Sequence, residues 1–182
     1  MLETELLGLA KSGDRNALES LLTVNYKMVY GYLFKLTMDE DLAKDLTQDT
    51  MTRAIINIKK FKGESKFSTW MISIASNLFK DTVKKKGHTY EDIDEIVDLD
   101  AGEDVENAVI TREKLTVLKK ALAGIPAEMR QAFILKHYYN YSYEEISTIL
   151  HCPVGTVRSR IHYSIKKLKS VLDGGISNEQ ML

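Results

Sequence analysis

Residues Ser142–Leu172 read SYEEISTILHCPVGTVRSRIHYSIKKLKSVL, and the reading of this stretch decides the fold. Ser142 is a good N-cap, and Glu145 sits three residues on, where a capping box wants it. Ile146, Ile149 and Leu150 then give one apolar face. Pro153 disfavours helical geometry in the residue before it, so the helix stops at His151 and Cys152. Pro153 is itself tolerated at the first position of the next helix. That helix repeats its apolar residues at Val154, Val157, Ile161, Ile165, Leu168 and Leu172, the period of a helix packed along one side. Two such helices joined by a short turn make a helix-turn-helix, whose second helix can lie in the DNA major groove.

The charge agrees. From Ile146 to Leu172 there is no Asp or Glu, yet Arg158, Arg160, Lys166, Lys167 and Lys169 are all present. A helix basic on its exposed side and apolar on the other fits a phosphate-lined groove. It also fits a surface helix whose basic face is merely solvated. With Val157 and Ile161 buried, a turn of about 100° per residue points Gly155, Ser159, Tyr163 and Lys166 outward. Thr156 and His162 flank them. Arg158 and Arg160 lie on opposite shoulders, from which an arginine can reach phosphates or base edges.

This segment resembles region 4 of bacterial sigma factors, in the extracytoplasmic-function (ECF) group of the sigma-70 family. The family's S-Y-E-E-I-A, short turn and C-P-V-G-T-V-R-S-R stand here as SYEEIS, TILH and CPVGTVRSR. The resemblance implies that Arg158, Ser159, His162 and Tyr163 read the minus-thirty-five element. Two departures stand out. His151 replaces a frequent Gly in the turn, and His tolerates a left-handed backbone better than most residues. Tyr163-Ser164 replaces a frequent Arg-Ala, so the promoter read here is expected to differ.

The chain has 182 residues, 44% of them hydrophobic, enough for one large or two small packed domains. Two prolines, Pro126 and Pro153, suggest a largely helical chain. The single cysteine allows no internal disulfide and fits a reducing compartment. Met1–Ala10 carries Glu3 and Glu5 and no continuous apolar run, so no signal peptide is read there. No stretch approaches a membrane span, and the expected location is the cytoplasm. The net charge of −1 hides a strong division. Residues 1–88 hold 14 Lys+Arg against 11 Asp+Glu, residues 89–114 hold 2 against 10, and residues 115–182 hold 9 against 5. Two basic parts are thus separated by an acidic belt.

The first part reads as helices. Leu6, Leu7 and Ala10 suggest a short one ending near Gly13. Asp14 can cap a second, carrying Ala17, Leu18, Leu21, Leu22, Val29, Leu33 and Leu36. Asp39 can cap a third, with Leu42, Leu46, Met51, Ile55 and Ile58 as its apolar side. The outer face of that helix is acidic and polar, which by itself means only solvation. In ECF sigma factors the similar D-L-x-Q-D stretch is region 2.2, which docks on the clamp helices of the polymerase beta-prime subunit. The resemblance places Asp45, Gln48 and Asp49 at or near that contact.

In FKGESKFSTWMISIASNLFKDTVKKKG, from Phe61 to Gly87, Gly63 marks a loop and Ser65 or Ser68 can restart a helix. Trp70, Ile74, Leu78 and Phe79 are its expected buried side. From Arg53 to Lys86 there are nine Lys+Arg but only Glu64 and Asp81 as acids. Aromatics among basic residues suit single-stranded nucleic acid, where bases stack and phosphates are neutralised. Trp70 nevertheless falls on the apolar stripe and reads as core, and Phe61 and Phe67 read as braces of the loop. The pattern F-x-G-x-S-x-F-S-T-W, then I-A-x-N-x-x-x-D, resembles regions 2.3–2.4, where a loop captures a base flipped from the melted minus-ten strand. The resemblance places Gly63, Glu64, Ser65, Lys66 and Phe67 in that loop. Asn77 matches a promoter-contacting Asn, with Lys80 and Lys84 on nearby turns. Lys84 stands where Arg is frequent, which keeps phosphate attraction but weakens bidentate contact.

Residues 90–106 are acidic and aperiodic, a linker extended by self-repulsion. The resemblance would thread this linker through the polymerase cleft. A helix from Asn107 carries Val109, Ile110, Leu115, Leu118 and Leu122 to Gly124. Pro126 opens another, in which IPAEMR matches the family's L-P-x-x-x-R, and Arg130 and Lys136 are candidate phosphate contacts. The tail from Gly174 is expected to fray. His88, His137, His151 and His162 are scattered, and His151-Cys152 lacks further ligands at metal-site spacing. No P-loop or dinucleotide motif is present, so neither enzyme nor cofactor is expected.

The expected fold is all-α: two helical domains joined by a flexible acidic linker. Residues 1–88 would form region 2, 89–106 the linker, 107–174 region 4, and 175–182 a tail. The expected function is that of a sigma factor, with core RNA polymerase (beta-prime clamp helices and beta flap) and promoter DNA as partners. Members of the family are commonly held by an anti-sigma factor, often membrane-bound; no residue here identifies one, and no direct membrane insertion is expected. The rival reading is a helix-turn-helix regulator with a separate sensing or dimerising domain. Such a regulator needs neither a second nucleic-acid surface near Gly63–Lys84 nor an acidic face near Asp45.

Overall fold

The computed structural model describes residues 3–85 and 120–179, with side chains through Ser170. The acidic stretch, and the helix expected from Asn107 through Leu118, lie outside the described residues. Every regular element among the described residues is helical: α1 (Glu3–Ser12), α2 (Arg15–Thr37), α3 (Glu40–Asn57), a 3₁₀ turn (Ile58–Lys60), α4 (Phe67–Lys85), α5 (Ala127–His137), α6 (Tyr143–Leu150) and α7 (Val154–Glu179). A helical segment at 120–123 precedes α5.

The expected caps form. The Asp14 carboxylate accepts from the Ala17 N–H at 3.0 Å, and Asp39 accepts from the Leu42 N–H at 2.9 Å. Each satisfies a donor that the first helical turn leaves free. Between α2 and α3, Met38 takes a left-handed conformation at φ 55°. The Thr37 hydroxyl pins this turn, accepting from the Asp39 N–H and donating to the Asp39 carbonyl.

Two helices sit differently from their periodicity. The buried stripe of α3 is Ala43, Leu46, Thr47, Thr50 and Ala54, while Ile55 is 46% exposed. Small side chains bring α3 close to its neighbours, and the two threonines donate back to Ala43 and Leu46 carbonyls, so burial leaves no hydroxyl unmatched. In α4 the most deeply buried residues include Met71, Ile72 and Ala75, whereas Trp70 and Ile74 are only half-buried. The reason is that α4 is packed on more than one side: α2 and α3 cover it, and so do α5 and α6.

One continuous apolar core therefore runs from Ala10 through Phe79 to Ile146, Ile149 and Ile161. A smaller cluster of Ala121, Leu122, Ile125 and Leu168 seals the start of the second half. Helix α7 continues through Gly174 and Gly175 to Glu179, beyond the point where fraying is expected from the sequence.

Candidate nucleic-acid interface

The α6–α7 pair is built by local chemistry. Ser142 Oγ accepts from the Glu145 N–H at 3.1 Å and Glu145 Oε2 accepts from the Ser142 N–H at 2.8 Å, completing the capping box. His151 occupies the left-handed region at φ 51° and ψ 49°. Ser147 closes the turn at both its ends: its carbonyl accepts from the Cys152 N–H at 3.1 Å and its hydroxyl donates to the Cys152 carbonyl at 2.6 Å. That role of Ser147 is absent from the motif reading, because nothing in the spacing marks it.

Val157, Ile161, Ser164 and Leu168 bury the inner side of α7. Gly155, Arg158, Ser159, His162, Tyr163 and Lys166 face solvent, and Thr156 is half-buried beside them. Ser164 lies inside, donating to the Arg160 and Met129 carbonyls, so of the Tyr163-Ser164 departure only Tyr163 lies on the exposed side of the helix. The Tyr143 ring gathers two of the expected contacts, with Lys136 Nζ at 4.9 Å and Arg158 Cζ at 5.4 Å from its centroid. Such cation–π contacts are worth about 0.5–1 kcal/mol at exposed sites. Arg160 is turned inward, paired with the Glu128 carboxylate and 3.6 Å from Cys152 Sγ.

Arg130 requires a correction. Expected to touch phosphate, it is buried, and its guanidinium donates to the carbonyls of Leu36 at 2.7 Å and of Ala123 and Ile125 at 3.1 Å each. It is a clamp inside the protein.

The Gly63 loop lies on a small aromatic cluster. Phe61, Phe67 and Trp70 pack with ring centroids 5.1–5.7 Å apart. Above them Lys62, Gly63, Glu64, Ser65 and Lys66 are exposed, and Gly63 has φ 82°, which suits glycine. Phe67 is completely buried, so its side chain shapes the loop from beneath and is not placed to meet DNA. Helix α4 starts at Phe67, whose N–H donates to Glu3 Oε1 at 3.0 Å. A carboxylate from α1 thus does the work expected of Ser65 or Ser68. Lys11 adds a second brace, 5.5 Å from the Phe61 ring centroid. Further along α4, Asn77 and Lys80 are half-buried and Lys84 is exposed. Lys80 Nζ lies 4.0 Å from Glu128, the same carboxylate that holds Arg160.

Asp45, Gln48 and Asp49 are exposed on the outer face of α3. Ile56, 71% exposed, lies three turns beyond Asp45 on the same side and adds an apolar end to the acidic face. Among the described residues no three His, Cys, Asp or Glu side chains form a group that could hold a metal ion, and no helix is long and apolar enough to cross a membrane.

Two family descriptions match the chain: Sigma-70 region 2 over residues 21–89, and Sigma-70, region 4 over residues 115–168. The ECF RNA polymerase sigma factor SigW of Bacillus subtilis is 30% identical over 172 residues, covering 89% of this chain and 92% of SigW. The ECF RNA polymerase sigma-E factor of Haemophilus influenzae is 32% identical over 161 residues, covering 83% of this chain and 85% of that protein. Among solved structures, the sigma factor RpoE of Bartonella quintana, in complex with the anti-sigma factor NepR, superposes with a TM-score of 0.71 at 25% identity, covering 85% of this chain and 96% of RpoE.

Proposed function

The chain belongs to the sigma-70 family as a sigma factor of the extracytoplasmic-function group, and from that premise we propose how its surfaces divide the work of initiation. It binds core RNA polymerase and directs it to promoters. Residues 1–88 act as region 2, 107–174 as region 4, and 89–106 as the connection between them. Asp45, Gln48 and Asp49, with Ile56 at the end of the same face, dock on the polymerase. The exposed loop from Gly63 to Lys66, with Asn77, Lys80 and Lys84, takes the melted minus-ten strand. Arg158, Ser159, His162 and Tyr163 read the minus-thirty-five duplex, while Thr156, Lys166 and Lys136 track its backbone; Arg160, turned inward onto Glu128, reaches that backbone only on leaving this carboxylate. The chain works by binding alone, in the cytoplasm with its polymerase, and needs no cofactor. An anti-sigma factor is a fitting further partner, given the RpoE–NepR neighbour.

The observation that carries this reading is the pairing of two separate basic faces, the Gly63 loop with α4 and the outer side of α7, with an acidic face on α3. Single strand and duplex ask for different surfaces, and a simple repressor needs only the second. Run-off transcription by core polymerase, with and without the protein, tests it. A promoter-specific product that depends on this chain is expected, and its absence on every promoter of a genomic template pool would overturn the reading.

A further inference from the structure

The Gly63 loop is anchored at both ends by one helix, α1, which lies ahead of the region 2 match that begins at residue 21. At the far end, Glu3 Oε1 accepts from the Phe67 N–H at 3.0 Å. At the near end, Lys11 Nζ stands 5.5 Å from the centroid of the Phe61 ring. Glu3 is in the first turn of α1 and Phe67 in the first turn of α4, so two positive helix ends meet at this carboxylate. Helix α1 is itself well seated: Ala10 is buried, and Leu6 and Leu7 pack on the main core.

The loop needs an outside anchor because its own residues supply a poor one. The Lys66 carbonyl accepts the first helical hydrogen bond of α4, from the Trp70 N–H at 3.1 Å, which makes Lys66 the N-cap. An ammonium has no acceptor to offer the free donors of the first turn. The neighbouring Ser65 hydroxyl donates to the Lys66 carbonyl at 3.3 Å. Gly63, at φ 82°, adds backbone freedom. Residues Lys62–Lys66 are exposed, while Phe67 beneath them is completely buried. Fixing the Phe67 backbone therefore fixes the point from which the exposed loop departs. A loop already held at its ends loses less freedom when it takes up a ligand, and its shape then selects among ligands.

We propose that Glu3 is a positioning residue for capture of the minus-ten strand. Through the Phe67 N–H it holds Lys62–Lys66 in the conformation that accepts the flipped base, and so sets both affinity and base preference there. Glu3 touches no DNA in this role. The inference rests on the assignment of Gly63–Lys66 to the minus-ten strand made above.

The test compares Glu3→Ala with Glu3→Gln in the full chain. Both remove the same charge, so any general change in attraction to DNA is common to the two. The amide oxygen of Gln still accepts from the Phe67 N–H, and Ala offers no acceptor. The first readout needs no DNA. Trp70 is the single tryptophan of the chain, its ring centroid 5.1 Å from that of Phe61 and 5.5 Å from that of Phe67. Glu3→Ala should shift its emission to the red and open it to acrylamide quenching, and Glu3→Gln should leave both as in the wild type. The second readout uses each chain bound to core RNA polymerase and a short single-stranded DNA randomised over its central positions, the bound fraction being sequenced. Glu3→Ala should bind the strand preferred by the wild type about three- to tenfold more weakly, the worth of one hydrogen bond, with a flattened preference at the captured base. Glu3→Gln should restore both, and affinity for core polymerase should be the same in all three chains. Trp70 signals equal in all three would overturn the brace. A changed Trp70 signal in Glu3→Ala with strand affinity and preference unchanged would overturn the positioning role. A fall in Glu3→Gln equal to that in Glu3→Ala would overturn the part given to the hydrogen bond. A wild-type complex that selects no strand would overturn the minus-ten assignment and this proposal with it, a failure told apart from the others by the Trp70 readout.

Discussion

Replacing Arg130 by Ala separates two roles for one residue. As a phosphate contact it would be dispensable for stability, and its loss would lower the salt slope of DNA binding by about one unit. As the buried clamp it donates to three carbonyls, those of Leu36, Ala123 and Ile125. Hydrogen bonds to a charged group contribute about 1.5–3 kcal/mol each, but the three share one guanidinium and do not add fully. Truncation also leaves carbonyls in a space that Ala cannot fill. A loss of about 3–5 kcal/mol is therefore expected, in line with breaking a buried charged network. For a chain of this size that corresponds to a melting point lower by roughly 6–20 °C, at 2–4 °C per kcal/mol. Arg130→Lys should recover part of the loss, since an ammonium can reach one carbonyl but not all three. Urea unfolding followed by circular dichroism measures the difference. A change below about 0.5 kcal/mol, together with a reduced salt slope, would mean that the guanidinium faces phosphate after all.

Four other outcomes are expected. Asp45→Lys with Asp49→Lys should weaken core polymerase binding tenfold or more while helicity and melting stay put, because exposed charges change stability little; an unchanged titration removes the docking face. Asn77→Ala should weaken binding to a cognate minus-ten single strand more than to a scrambled one, and equal losses would make Asn77 a backbone contact or a structural residue. Tyr143→Leu should reduce affinity for a minus-thirty-five duplex a few-fold and blur preference at the base facing Arg158, whereas Tyr143→Phe should not; equal behaviour of the two variants would show that the ring does not hold Arg158. Burial pushes the phenols of Tyr32 and Tyr139 well above their ordinary value. Their folded pKa lies above the unfolded one, so their contribution is intact below about pH 10 and falls as pH rises beyond it, by up to ~1.4 kcal/mol per pH unit for each. Tyrosinate absorbance should then show these groups ionising together with loss of helicity, and independent early titration would contradict their burial.

Much of the architecture is legible in short-range chemistry. Asp14, Asp39 and the Ser142–Glu145 box cap the helices they precede, because a cap joins residues two or three positions apart and spacing alone reveals it. The turn before Pro153, the outward set on α7 and the exposed loop at Gly63 are legible for the same reason. The fate of side chains whose partners lie far along the chain is not. Arg130 looks like any basic residue on a helix until Leu36, 94 positions away, presents its carbonyl. Glu3 caps α4 across 64 positions, and Ile55 is displaced from the core by a stripe of Ala and Thr that no hydrophobicity count would favour. Periodicity states that a helix has an inner face, but how many neighbours cover it, as they do for α4, follows only from packing. The sequence by itself determined the described helices, the caps at Asp14, Asp39 and Ser142 and the family's motifs, since those depend on contacts within a turn or two. Only the tertiary structure decided which charged groups stay exposed and which hold the two halves together, because burial and pairing are set by residues that the chain brings together from a distance.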